Sequence, residues 1–220
     1  MPSKAQKAFK ANAADVDRLL EIHQDIGGGT PGRRYGLEVL NKSAVVLITA
    51  IWEAYCEDLA TEALEHVVNK SRDATTLPKE LKKRIASELK KDLNELAMWD
   101  LADAGWKASL RSRLVALTDE RNKRLNTPKT ENIDELFATA LGLPEVSTAW
   151  RWKGMTVDTA RTKLDRFVVL RGSIAHRGKG AKAVRRAEVE DFFDHAQRLV
   201  AKTGGRVNTF VKGVTGSSLW

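Results

Sequence analysis

"LEVLNKSAVVLITAIWEAYCEDLATEALEHVVNK", residues 37–70, decides the fold. Its apolar residues recur at helical spacing over many turns. Its centre, Ala44 to Trp52, is apolar nearly all round. A helix that is hydrophobic on every side has to be covered on every side, so this segment is expected to be the buried central helix.

On the N-terminal side, "KAFKANAADVDRLLEIHQDI" (7–26) carries Ala8, Val16, Leu19, Leu20 and Ile26 at helical spacing, and "GGGTPG" stops it. On the C-terminal side "SRDATTLP" (71–78) breaks the central helix. "KELKKRIASELKKDLNELAMWDL" (79–101) then reads as one amphipathic helix with Ile85, Leu89, Leu93 and Leu96 or Ala97 in line. "GW" at 105–106 marks a turn or kink before a shorter helix through Leu110, Leu114 and Leu117. "LNTPKTENIDELFATALGLP" (125–144) is a loop and a helix with Asn132 as its expected cap, stopped by Gly142 and Pro144. "TVDTARTKLDRFVVLRGSIAH" (156–176) is the next helix, and "AEVEDFFDHAQRLVAKTGG" (187–205) is the last strong one, ended by its glycine pair. The tail "RVNTFVKGVTGSSLW" is ambiguous. No alternating strand pattern is present. The fold class is all-α in one domain, 1–220, with about 72–155 as a helical insertion between two core helix pairs and 205–220 as a short tail.

The chain has 220 residues, 42% hydrophobic and 30% charged, which suits a core-forming globular protein. No uncharged apolar run reaches the roughly 18 residues of a membrane span, so no membrane partner is expected. A single cysteine, Cys56, excludes an internal disulfide and fits a reducing cytoplasm. The formal net charge is +8. Three basic stretches carry the excess: 79–91, 107–129 and "RGKGAKAVRR" (177–186). The last holds Arg177, Lys179, Lys182, Arg185 and Arg186 without an acid. That run reads either as a solvated loop or as the seat of an anionic partner, most simply nucleic acid.

"FVVLRGSIAHRGKG" (167–180) places an arginine inside an apolar run. At about 100° per residue, Leu164, Phe167, Val168, Arg171, Ile174 and Ala175 share one face. A buried guanidinium needs an acid, a cleft or another subunit. Glu53, at the edge of the most apolar helix, is the acid that could pair with it, either to orient the site or as a plain helix-surface acid beside Glu57. His176 follows five residues on, about 140° round a regular helix. The two side chains converge only if the helix ends between them, where Gly172, Gly178 and Gly180 could end it, or if two copies of the segment meet. His23, His66 and His195 belong to no motif and read as surface or boundary residues. No metal-ligand spacing is present, so neither metal nor cofactor is expected. Trp150 and Trp152, beside Arg151 and Lys153, read as packing residues first and base-stacking residues second.

These segments together resemble the HEPN superfamily, whose hallmark is R-x4-6-H near a helix end in an α-helical core. "LNKSAVVLITAIWEAYCEDLATEAL", "LNTPKTENIDELFATALGLPEVSTAWRW" and "LDRFVVLRGSIAHRG" are similar to its RiboL-PSP-HEPN subgroup. The resemblance implies an HEPN-like helical bundle and a metal-independent endoribonuclease with Arg171 and His176 at a homodimer cleft. It implies a toxin–antitoxin, anti-phage or RNA-processing setting, with an antitoxin or regulatory protein as a further partner. Many active members carry Asn, Asp or His after the motif arginine, where this chain has Gly172. A non-cutting module that binds RNA or protein therefore stands beside the nuclease as the second reading.

Overall fold

A computed structural model describes residues 2–27, 36–112, 115, 127–178 and 182–220. Its helices are α1 (Lys4–Gly27), α2 (Glu38–Lys70), α3 (Lys79–Leu89), α4 (Thr130–Leu141), α5 (Val157–Arg177) and α6 (Arg186–Thr215). Residues 105–112 form a further helical stretch. Short 3-10 turns lie at Ala74–Thr76, Ala97–Leu101 and Val146–Ala149. Among the described residues there is no strand, only an isolated bridge between Trp152 and Met155. The architecture is an all-α bundle.

α2 is the axis of the bundle, with α1, α4, α5 and α6 packed around it. Ile48, Trp52, Cys56, Leu59 and Leu64 have no exposed surface, as an all-round apolar helix requires. This helix is long and apolar enough to cross a membrane by length and composition, yet half of its most apolar window is buried inside the bundle. α1 lies on it through Ala5, Phe9, Ala13 and Val16, one i, i+4 stripe. Ala8 and Ile26, expected in that stripe, are exposed. The Phe9 ring meets Tyr55 edge-on at 5.8 Å. Glu62 of α2 closes the start of α1, accepting hydrogen bonds from the Lys4 and Ala5 backbone N–H groups at 3.0 Å each.

Several helix ends differ from the sequence reading. α3 stops at Leu89, and Leu93 is fully exposed. Asp92 and Asn94 each accept a backbone N–H two residues on, which favours turns over a continued helix. Gly105 opens the following helical stretch, and Leu114 and Leu117 lie outside the described residues. α4 begins at Thr130 rather than behind Asn132, because Asp165 of α5 accepts from the Thr130 backbone N–H at 2.8 Å. A tertiary carboxylate replaces the local cap. α6 runs straight through Gly204 and Gly205 to Thr215. A Cβ at Gly204 would lie 2.8 Å from the buried Tyr55 hydroxyl, so that glycine serves close packing and not a helix end.

α5 and α6 run antiparallel, with Phe167 stacked on Phe192 at 4.1 Å and an interplanar angle of 12°. Trp150 is wholly buried, edge-on to Trp52 at 5.9 Å, and its Nε1–H donates to Thr203 Oγ1 at 2.8 Å. His195 is also buried, at 2% exposure, contrary to the boundary position expected. Its Nε2 pairs with the Ala160 carbonyl at 3.1 Å and its ring lies 5.5 Å from Trp152, while Nδ1 has no hydrogen-bond partner among the described residues.

Candidate functional site

α5 carries the site. Thr156 caps its start, accepting from the Thr159 backbone N–H, and Gly178 at φ +48° ends it. The helix is therefore unbroken from Arg171 to His176. The ending that the glycines suggested falls after the histidine, and the turn of about 140° between the two side chains stays in place. Gly172 is an ordinary helical position. A Cβ there would meet nothing within 4 Å.

Leu164, Phe167 and Val168 anchor the inward face of α5. Arg171 continues that face one turn later, where it is half-buried and its charge acts on Glu53 of α2. Ile174 is half-buried and Ala175 is already exposed. Burial pushes the Glu53 carboxyl up to about 7, with the Glu57 carboxylate adding to the rise and Arg171 opposing it. Glu57 sits one turn further into the core, 8% exposed. Glu53 is thus half-buried between a cation and a second acid.

His176 lies exposed in the last turn of α5. It shares a face with Gly172 and Val169, four and seven residues back, and Val169 is 57% exposed. On a helix the side chain leans toward the N-terminus, so the imidazole lies over the surface that Gly172 leaves bare.

α2 fixes this end of α5 from below. Lys42 is nearly buried and donates to the Gly178 carbonyl at 3.1 Å while pairing with Glu38 at 2.7 Å. Buried Asn41 donates through Nδ2 to the Val184 carbonyl at 2.9 Å. Neither residue figured in the sequence reading. Two polar side chains at the head of an otherwise apolar helix were the signal available.

Val39, Ser43, Val46, Ala50 and Glu53 follow one stripe of α2 at i, i+4, i+7, i+11 and i+14. Val39, Ser43, Val46 and Ala50 line a largely apolar groove of about 870 Å³, with Ile174 and Gly178 on its other side. The groove runs between the two helices that carry Glu53, Arg171 and His176.

The basic run after the motif is partly neutralised. Arg186 pairs with Glu190 at 2.8 Å and also donates to Gln24, while Lys182 lies 3.7 Å from Glu188. Glu188 accepts from the Arg185 backbone N–H at 3.0 Å, opening α6. Arg177 is exposed, and Lys179 lies outside the described residues. Among the described residues, no three His, Cys, Asp or Glu side chains gather as a metal site requires.

The family model for RiboL-PSP-HEPN matches residues 11–208. The chain belongs to the RiboL-PSP-HEPN family. The match spans most of the helices that build the site, from α1 to α6. No curated protein and no solved structure matches this HEPN chain. Family membership and the all-helical fold place it generally among nuclease or RNA-related modules.

Proposed function

We propose that this HEPN protein is a metal-independent endoribonuclease whose working form is a homodimer. The observation that carries the reading is the convergence of Arg171 and Glu53 where α5 crosses α2, with exposed His176 at the same end of α5. The groove of Val39, Val46, Ala50 and Ile174 offers the apolar surface on which a second copy packs. Arg171 and His176 diverge within one helix. Two copies related by a two-fold axis bring both pairs to one cleft.

RNA supplies its own nucleophile. The 2′-oxygen attacks phosphorus as a base removes its proton, the bond to the 5′-oxygen breaks, and an acid protonates that oxygen. The products are a 2′,3′-cyclic phosphate and a 5′-hydroxyl. A His176 imidazole supplies the proton transfers. Arg171 meets the phosphorane charge with two N–H donors, and Glu53 holds the guanidinium in place. Arg177, Lys179, Lys182, Arg185 and Arg186 bind the flanking phosphates. The proposed setting is cytoplasmic toxin, anti-phage or RNA-processing activity, held in check by an antitoxin or regulatory protein.

Gly172 favours a second reading, a module of the same fold that binds RNA or protein without cutting. The position after the motif arginine offers no side chain to the scissile group. Incubating purified protein with single-stranded RNA in EDTA separates the two readings. The nuclease cuts and H176A is strongly impaired, whereas the non-cutting module leaves the RNA intact.

A further inference from the structure

α6 changes character past Asp194. Residues 195–215 contain Arg198, Lys202, Arg206 and Lys212 and no acid. The first three stand at i, i+4 and i+8, so they line one face, and Lys212 falls close to that line. All four are exposed, and none has an ion-pair partner among the described residues. Five cations elsewhere, Arg18, Lys42, Lys83, Lys163 and Arg186, each sit on a carboxylate within 3.0 Å.

The 150–155 loop reaches the edge of this face. Trp150 is tied to the buried side of the same helix through Thr203, and the Arg198 guanidinium stands 5.9 Å over the ring of half-buried Trp152. Exposed Arg151 and Lys153 flank that tryptophan. Gly205 and Gly213 lie within the same face, and a Cβ at either would meet nothing within 4 Å. A glycine inside an exposed helix costs roughly 1 kcal/mol against alanine, and no packing contact among the described residues repays it at 205 or 213.

We propose that the Arg198–Lys202–Arg206 ladder, with Arg151, Trp152 and Lys153, is a binding track for the phosphate backbone of single-stranded RNA. Successive rungs rise about 6 Å along the helix, a spacing of the order of successive phosphates in an extended strand. An exposed cation row beside an aromatic ring is the combination that holds single strands without reading their sequence. The track lies toward the start of α5, roughly 28 Å along the helix axis from His176. It is a surface separate from the Arg171–His176 end and from the basic run 177–186, and it grips RNA away from the bond to be cut. The choice of RNA as ligand rests on the nuclease reading, but the binding itself requires no cleavage.

Fluorescence anisotropy with labelled single-stranded RNA of about 30 and about 6 nucleotides, in EDTA and on an H176A background, tests the track without chemistry. The parent binds the long strand more tightly. R198Q/K202Q/R206Q loses most of that advantage, and its slope of log K against log salt falls by about 2, since each lost phosphate contact contributes about 0.7. K7Q/K10Q/R18Q on α1 removes the same charge and leaves the slope near that of the parent. R198K/K202R/R206K keeps the charges and keeps the slope. Thermal melts confirm that each variant is folded. Equal slopes for the two glutamine triples overturn the proposal, as does a parent that binds long and short strands alike. Binding of an acidic protein at this face without RNA binding overturns it too. Anisotropy on the H176A background reads the track alone, and the cleavage assay of the parent in EDTA reads the nuclease, so failure of one is distinguishable from failure of the other.

Discussion

Arg171 of α5 acts on Glu53 of α2, and the Glu53 carboxyl is nonetheless held up to about 7 because burial and Glu57 outweigh the cation. The pair is therefore not a simple ion pair. It is a half-buried carboxyl whose protonation changes near neutral pH, next to the arginine of the family motif. Any loss of charge at Glu53 leaves Arg171 with more of its charge available to a phosphate.

Glu53 makes stability depend on pH with a definite sign. The unfolded chain releases this proton near 4.5, while the native state keeps it up to about 7. The stabilisation is full below 4.5 and is lost as pH rises through 7. E53Q stays neutral at every pH. The stability of E53Q relative to the parent is expected to grow between about pH 5 and pH 8 by about 1 kcal/mol, a figure reduced for solvent screening of a half-exposed group. Urea melts at several pH values check it, and a difference that does not vary with pH contradicts it.

His195 works in the opposite direction. Burial, followed by the Lys163 charge, lowers its pKa to about 4 from 6.5, against the pull of the Ala160 carbonyl and Asp191. The unfolded chain binds this proton first, so the stabilisation is full above 6.5 and is lost as pH falls toward 4. The expected loss is about 2 kcal/mol. In H195Q the slope over this window flattens whatever the variant's absolute stability, and a slope equal to the parent's rules out the assignment.

Gly204 and Gly205 are neighbours with opposite sensitivities. G204A drives a methyl into Tyr55, whose hydroxyl donates to the Val200 carbonyl at 2.8 Å, and is expected to destabilise by about 1–3 kcal/mol. G205A adds a methyl to open space on a helix and is expected to stabilise by about 0.5–1 kcal/mol. Thermal melts that shift in the same direction for both variants would remove the packing argument.

The central helix was legible because an all-round apolar run has only one comfortable place in a bundle. Arg171 was legible for the related reason that a charge on an apolar face has to be answered by something. Helix ends were less legible where distant residues set them. Asp165 caps α4 from another helix, and Tyr55 explains why Gly204 sits mid-helix instead of ending α6. Sequence spacing carries no record of such partners. His195 was misplaced for the same reason, since its burial depends on Trp152 and the Ala160 carbonyl arriving from elsewhere in the chain.

The dimer model predicts complementation. R171A and H176A are each expected to be strongly impaired. Mixed dimers formed by co-refolding restore one arginine and one histidine to the shared cleft, from different copies. RNA cleavage by the mixture well above that of either variant alone is the expected result. A mixture no more active than its components places both residues in a site confined to one copy.

The most direct test of the central claim is end-group analysis of RNA cut by the purified protein in EDTA. The account predicts a 2′,3′-cyclic phosphate and a 5′-hydroxyl. It predicts no cleavage where the scissile nucleotide is 2′-deoxy, and a rate lower by about 10²–10⁴-fold in H176A, the range for a removed acid–base group. Products carrying a 5′-phosphate and a 3′-hydroxyl, or undiminished cleavage by H176A, would contradict it.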